Sequence, residues 1–273
     1  MAQNQFQTVN FVIPVRRFKP FEGANHNRMP ELLTGKDASG MQVDVPRELI
    51  SPKMLMEARL GRTGTQADQA YLRSVYVDTN VAVLPDPKSD AVKLVPKHSL
   101  TYGLNPKSEL KDYNLPITKD QFEAAEGFVL QPEAANALRK DPYAVSNRRT
   151  AVWEFLAEGD TPLRTAYQED VTKTLEMPFE KVMGVYVPSN KGMRLLSVGS
   201  VVVSVRSYAV GDIDLGYSVG RLVGVAPEAQ GAQKNGAVTP SLEQLIDLVS
   251  PYVAQVNLPE LRKQLTGAYV VKE

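Results

Sequence analysis

The stretch from Met193 to Val225 constrains this chain more than any other. It reads Met-Arg-Leu-Leu-Ser-Val-Gly-Ser-Val-Val-Val-Ser-Val-Arg-Ser-Tyr-Ala-Val-Gly, then Asp-Ile-Asp-Leu-Gly-Tyr-Ser-Val-Gly-Arg-Leu-Val-Gly-Val. Valines alternate with small or polar residues and glycines punctuate the run. That pattern predicts short strands joined by tight turns, as in a small antiparallel sheet or barrel. Period two puts Val201, Val203 and Val205 on one face and Val202, Ser204, Arg206 and Tyr208 on the other, so the first set is the predicted core side.

The same stretch holds the one motif with catalytic form. Gly216-Tyr-Ser218-Val-Gly220 matches the nucleophile elbow G-x-S-x-G. An elbow needs a helix after its serine, whereas Arg221-Leu-Val-Gly-Val reads as strand. The hydrolase order also needs a histidine downstream, and both histidines, His26 and His98, lie upstream. A glycine-rich hairpin is the better reading of Ser218. Asp212 and Asp214 could share a strand face as metal ligands, but no third ligand accompanies them. Gly61-Arg-Thr-Gly64 lacks the spacing of a phosphate loop, and no G-x-G-x-x-G occurs. The chain has no cysteine, which excludes disulfides, zinc–thiolate sites and thiol nucleophiles. No cofactor, metal or catalytic residue is assigned.

Five segments follow from pattern changes. Residues 1–50 read as an extended N-terminal arm and 51–117 as a mixed strand and loop part of the core. Residues 118–176 read as a helical insertion, 177–230 as an antiparallel β segment completing the core, and 231–273 as a C-terminal helical tail. Within them, Pro52–Leu60 is a short helix, Val75–Leu84 is one strand or a hairpin turning at Asp78–Asn80, and Ala91–Val95 is a short strand. Thr118-x-x-Gln121 is a capping box. Asp141-Pro142 and Thr161-Pro162 each place a cap residue before a proline suited to a first helical turn. Val152, Phe155 and Leu156 mark one helical face, with Trp153 beside it. Leu163, Tyr167, Val171 and Leu175 mark another. Arg148-Arg149 reads as a solvated face or an intersubunit pair. The fold expected is α+β: an antiparallel β-rich core with a helical insertion and an extended arm.

Lys+Arg and Asp+Glu both number 31, so the formal net charge is zero. A dedicated nucleic-acid coat would be basic. Charge is nonetheless unevenly spread. Residues 1–36 carry Arg16, Arg17, Lys19, Arg28 and Lys36 against Glu22 and Glu31. Thr118–Glu180 holds 7 basic and 12 acidic residues. Opposite signs let the arm and the helical block meet, within one subunit or between two. The N-terminus has neither the basic nor the apolar region of a secretory signal, and no apolar run is long enough for a bilayer. The expectation is a chain made and used in a cytoplasm, without a membrane partner.

Phe11, Ile13, Val15, Arg16, Arg17, Phe18, Lys19 and Phe21 are the predicted interface, because apolar and arginine side chains anchor protein contacts. The absence of cysteine, signal and active site, with a long irregular N-terminal region, is similar to the profile of phage structural subunits. The expected function is therefore a non-enzymatic, self-assembling virion component (capsid, tail or accessory protein), incorporated into the particle. Its partners would be copies of itself or other structural subunits. The alternative is a nucleic-acid-binding module that uses a barrel-like sheet and the basic-aromatic N-terminal arm, with the arm's arginines on phosphate and its phenylalanines stacked on bases. Deleting residues 1–21 is expected to leave a folded core.

Overall fold

The computed structural model describes residues 18–144, 147–189, 191–201, 207–211, 215 and 221–226. In chain order these form β1 (Phe18–Phe21), α1 (Asn25–Thr34), β2 (Glu48–Leu49), α2 (Pro52–Arg59), α3 (Gln66–Ser74), β3 (Val77–Pro85), β4 (Val92–Pro96), α4 (Ser99–Tyr102), α5 (Lys119–Ala124) and β5 (Phe128–Leu130). Then follow α6 (Pro132–Lys140), α7 (Asn147–Leu156), α8 (Thr161–Leu175), β6 (Val185–Tyr186), β7 (Arg194–Val198), β8 (Ala209–Val210) and β9 (Arg221–Val225).

All nine residues of β3 are buried. The segment is one strand, not a hairpin, and the sheet is organised around it. β7 pairs with β3 at both of its ends, antiparallel, with a register shift between Asp78 and Ala82. β9 pairs with Val77 and Asp78, and β4 with Val81–Pro85. A strand has two edges, so β9 and β4 must share the edge that β7 leaves. β1 and β2 then pair with β9, and β5 with β4. The path β1-β9-β3-β7-β8-β6 does not return on itself, so the sheet is open and no barrel closes. Nor is it wholly antiparallel. β3 and β9 run parallel, as do β6 and β8. Each of these pairs joins segments that are not consecutive strands, so no hairpin sets their direction.

The sheet separates two apolar clusters. Val77, Val81 and Val83 of β3 face α2, α3, α7 and α8, with Trp153 and Tyr167 at the centre. Ala82 and Leu84 face α1 and α5, with Phe21, Met29, Leu32 and Phe122. The strand's period of two produces this division directly.

The expected arm is folded from Phe18 to Leu49. It supplies two strands and a helix, and Phe18, Phe21, Met29, Leu32 and Leu49 are buried. α1 has no side-chain cap and contains Pro30. Burial of Met29 and Leu32 holds it, since local propensity does not. The helical block also differs from a plain insertion, because its β5 belongs to the sheet. Thr118 and Gln121 do form the capping box of α5. Pro142 opens no helix: Asp141 follows α6, and its Oδ1 accepts the Tyr143 N–H at 3.0 Å. α8 starts at Thr161 with Asp160 as its cap, the Leu163 N–H donating to Oδ1 at 3.0 Å. Arg149 is buried with its guanidinium 4.0 Å above the Phe179 ring, whereas Arg148 is exposed. Of the predicted valine face, Val201 is buried. Val203, Val205, Arg206 and the 231–273 tail lie outside the described residues.

Arg59 ends α2 with no exposed surface. Its guanidinium donates to Leu72 O at 2.9 Å, Val75 O at 3.0 Å, Val198 O at 3.3 Å, Gly199 O at 2.8 Å and the Tyr167 hydroxyl at 2.7 Å. Leu72 and Val75 lie at the end of α3, where helical carbonyls lack intrahelical partners and carry partial negative charge. The cation is thus solvated by peptide dipoles at the meeting point of α2, α3, α8 and β7. Arg59→Met should strand several buried carbonyls at about 1–3 kcal/mol each. Urea unfolding should show a loss of at least about 3 kcal/mol, and Tyr167→Phe about 1 kcal/mol. An Arg59→Met midpoint equal to the parent's would refute the hub.

Candidate functional site

Of the predicted interface residues, Phe11, Ile13, Val15, Arg16 and Arg17 lie outside the described residues. The other three are committed within the chain. Phe18 and Phe21 are each 2% exposed, in the two separate cores. Strand alternation across β1 places them on opposite faces of the sheet. Lys19 donates to Asp44 Oδ2 at 2.6 Å and needs no partner from a neighbour. These three side chains have partners within the described chain, and a truncation at residue 21 would remove core residues.

Among the described residues, three of the five exposed large apolar side chains lie beside β1, on the loop after α1. Met41, Val43 and Val45 are 66%, 51% and 50% exposed. Polar residues between and around them tie the loop down. Gly35 ends α1 in the left-handed region (φ 68°), and its carbonyl accepts the N–H groups of Val43 at 2.9 Å and Asp44 at 3.0 Å. A Cβ at Gly35 would lie 2.1 Å from Asp44 O, so only glycine fits. Asp37 Oδ1 accepts the N–H groups of Ser39 at 2.9 Å and Met41 at 3.0 Å. A hydrogen bond from the Ser39 hydroxyl, followed by these backbone bonds, holds the Asp37 carboxyl below its usual range. The Gln42 amide donates to the carbonyls of Thr34 and Asp44. Burial alone would raise Asp44, but hydrogen bonds from Lys19, Arg47 and the Val45 N–H bring it down to about 2. Anchored polar residues therefore alternate with exposed apolar ones. Isolated apolar side chains on a surface are ordinary, so it is the grouping of three within five residues that makes this loop a candidate contact. The period-two sequence Met41-Gln-Val43-Asp-Val45 after Gly40 was the available signal.

The other candidates are structural or undescribed. His26 is half-buried with Nδ1 3.2 Å from Leu215 O. His98 Nδ1 accepts the Leu100 N–H at 3.2 Å and caps α4. In the loop 61–64, a Cβ on Gly64 would lie 2.7 Å from the Phe18 ring, so this glycine permits close packing. Ser218, Asp212 and Asp214 lie outside the described residues. Among the described residues, no group of three or more His, Asp or Glu side chains could hold a metal, and no helix is long and apolar enough to cross a membrane.

One buried carboxyl remains. Asp78, on β3, is 1% exposed, and Ser197 on β7 donates its hydroxyl to Oδ1. Oδ2 has no partner, and neither do the buried side-chain oxygens of Asn25 and Asn80. Burial raises the Asp78 pKa, while hydrogen bonds from Ser197 and Asn25 and the field of Arg221 oppose it without prevailing. Acceptors outnumber donors here, and a proton on Oδ2 supplies one. Burial thus disfavours the charged form of this carboxyl.

No family model matches the chain, and no curated protein matches it. The chain is similar to a solved structure described as "Accommodation of massive sequence variation in Nanoarchaeota by the C-type lectin fold". The match has 16% identity, covers 78% of this chain and 100% of that one, and has a TM-score of 0.48.

A raised folded-state pKa means that Asp78 contributes stability fully below its unfolded value. That contribution is lost as pH rises through the folded value. Asp78→Asn keeps the shape and a donor without the charge. Its melting temperature should match the parent's near pH 4 and exceed it increasingly toward alkaline pH. A variant less stable than the parent by the same margin at every pH would show that Asp78 is needed as a carboxylate.

Proposed function

We propose that this chain is a non-enzymatic structural subunit that assembles with copies of itself, as a capsid, tail or accessory virion protein does. The observation that carries the reading is the exposure of Met41, Val43 and Val45 on a loop tied down by Gly35, Asp37, Gln42 and Asp44. Burying a side chain of this size is worth about 1.5–3 kcal/mol, so leaving three in water is costly without a partner. The row is small beside the roughly 800 Å² per partner of a stable binary complex. A particle uses one weak contact many times, and avidity then supplies what area does not. The formal net charge of zero suits association better than mutual repulsion.

The nucleic-acid alternative has less to draw on. Phe18 and Phe21 are buried and cannot stack on bases, and Lys19 is neutralised by Asp44.

Replacing Met41, Val43 and Val45 together by threonine removes the row without touching either core. The variant should melt with the parent and sediment at a lower mass at the same concentration and salt. Equal mass for parent and variant would overturn the reading. Salt-sensitive binding of single-stranded DNA by the parent would favour the alternative.

A further inference from the structure

We infer that β5 is a second contact between copies of this chain, pairing antiparallel with the β5 of a neighbour across a twofold axis centred on Val129. The inference rests on the self-assembly reading and adds to it a surface separate from the loop after α1. Its first support is the direction of the backbone groups. The Asp86 N–H donates to Ala91 O at 2.8 Å, and the Lys97 N–H to Asn80 O at 2.8 Å. In an antiparallel pair, opposed residues that exchange hydrogen bonds alternate with opposed residues that do not. The register of β3 and β4 therefore turns the backbone groups of Lys93 and Val95 toward β3, and those of Val92 and Leu94 toward β5. Val92 lies opposite Leu130, and Leu94 opposite Phe128. Phe128 and Leu130 thus spend their backbone groups on β4, and the N–H and C=O of Val129 point off the free edge.

The second support is what the other ends of the sheet do. An unpaired edge invites another chain, and proteins blunt it with lysine, proline or a covering segment. β1 holds Lys19 and Pro20. β6 is covered, since the Val185 N–H donates to Pro142 O at 2.9 Å. β5 has neither device. It reads Phe-Val-Leu, Val129 is 38% exposed, and Gly127 and Gln131 beside it are exposed too. Around a twofold axis Val129 meets its own counterpart, and the two residues exchange both N–H···O bonds. A shallow groove along this edge, lined by Phe128, Leu130, Ala134 and Ala151, gives the incoming strand an apolar wall. The third support is charge. Pairing centred on Val129 sets residue 126 of one copy against residue 132 of the other, at the start of α6. Glu126 is exposed and has no ion pair among the described residues. Arg148 borders the groove at the start of α6, with its guanidinium 3.8 Å from the Glu133 carboxylate. Each copy thus brings a carboxylate to the other's cation, a complementarity that selects a second copy of this chain. Such a contact closes at two copies. Together with the separate contact through Met41, Val43 and Val45, it would let dimers extend into a larger assembly.

The absence of cysteine makes the test direct. Opposed residues of a hydrogen-bonded antiparallel pair have Cα atoms about 5.5 Å apart, within the range of a disulfide. Tyr113, 64% exposed on another loop, is the control position. After oxidation, Val129→Cys should give roughly tenfold more disulfide dimer on non-reducing gels than Tyr113→Cys. Val129→Pro removes the outward N–H and leaves the pairing with β4 intact. It should melt with the parent and sediment at a lower mass at the same concentration and salt. If proline unfolds the strand, charge reversal takes its place: Glu126→Arg should lower the mass, and adding Arg148→Glu should restore it. An assembled parent whose Val129→Cys links no more than Tyr113→Cys would overturn this inference and leave the proposed function standing. So would a Glu126→Arg variant that keeps the parent's mass. Dimers that survive threonine at Met41, Val43 and Val45 but not Val129→Pro would confirm β5 and remove the loop from the contact. A parent that is monomeric at every concentration, with no excess of Val129→Cys dimer, would remove both the inference and the function on which it rests.

Discussion

A buried guanidinium without a carboxylate partner sets the terms for the larger of the two cores. Arg59 brings a permanent charge to the junction of α2, α3, α8 and β7, where desolvation would be severe if it were unmet. Four carbonyls and a phenol meet it. These carbonyls come from chain segments up to 140 residues away, so the junction cannot be satisfied piecemeal. The network continues outward. Tyr167 shares a hydroxyl contact with Ser207 at 2.7 Å, and the Arg59 carbonyl accepts Gln69 and Arg73, while Arg73 pairs with Asp170 on α8. Helix ends and strand ends that would otherwise be unsatisfied are closed by one side chain. The cost of burying it is offset only when all of them are in place.

That arrangement also explains why β3 is central. With helices fixed over one face, the strand's alternate residues bury Val77, Val81 and Val83 there and leave Asp78, Asn80, Ala82 and Leu84 to the other face. The second face is the more polar of the two, and α1 lies over it. Its contact combines Met29 and Leu32 with Asn25, whose side chain bonds to the buried Asp78. The helix that precedes the exposed loop is thus seated partly on a buried polar contact.

The parts legible in the sequence were those with local causes. The α8 stripe of Leu163, Tyr167 and Val171, the α5 capping box and the helix over Pro52–Arg59 follow from periodicity and capping alone, and the structure contains them. The parts not legible have non-local causes. α1 has a proline, no side-chain cap and three Asn/His residues at its start, so only its packing makes it a helix. The parallel pairing of β3 with β9 joins residues far apart in sequence, and no turn motif announces it. Phe18 and Phe21 looked like docking residues because their partners in β9 and the helices are distant. The row at Met41–Val45 was visible as alternation, but its exposure depends on Lys19 reaching Asp44 across 25 positions.

The corner of β1, β2 and β9 therefore has two features that belong together. Its apolar side chains point outward, and its carboxylates are mostly spent holding them there. A loop selected only for solubility would reverse this arrangement, with Gln42 and Asp44 in water and Met41 and Val43 turned inward. Gly35 forbids that reversal locally, because its carbonyl holds the N–H groups of both Val43 and Asp44 and its missing Cβ admits the Asp44 carbonyl. Lys19 forbids it from the side of the sheet. Losing the Lys19–Asp44 pair would remove the tie that fastens this loop to the edge of the sheet.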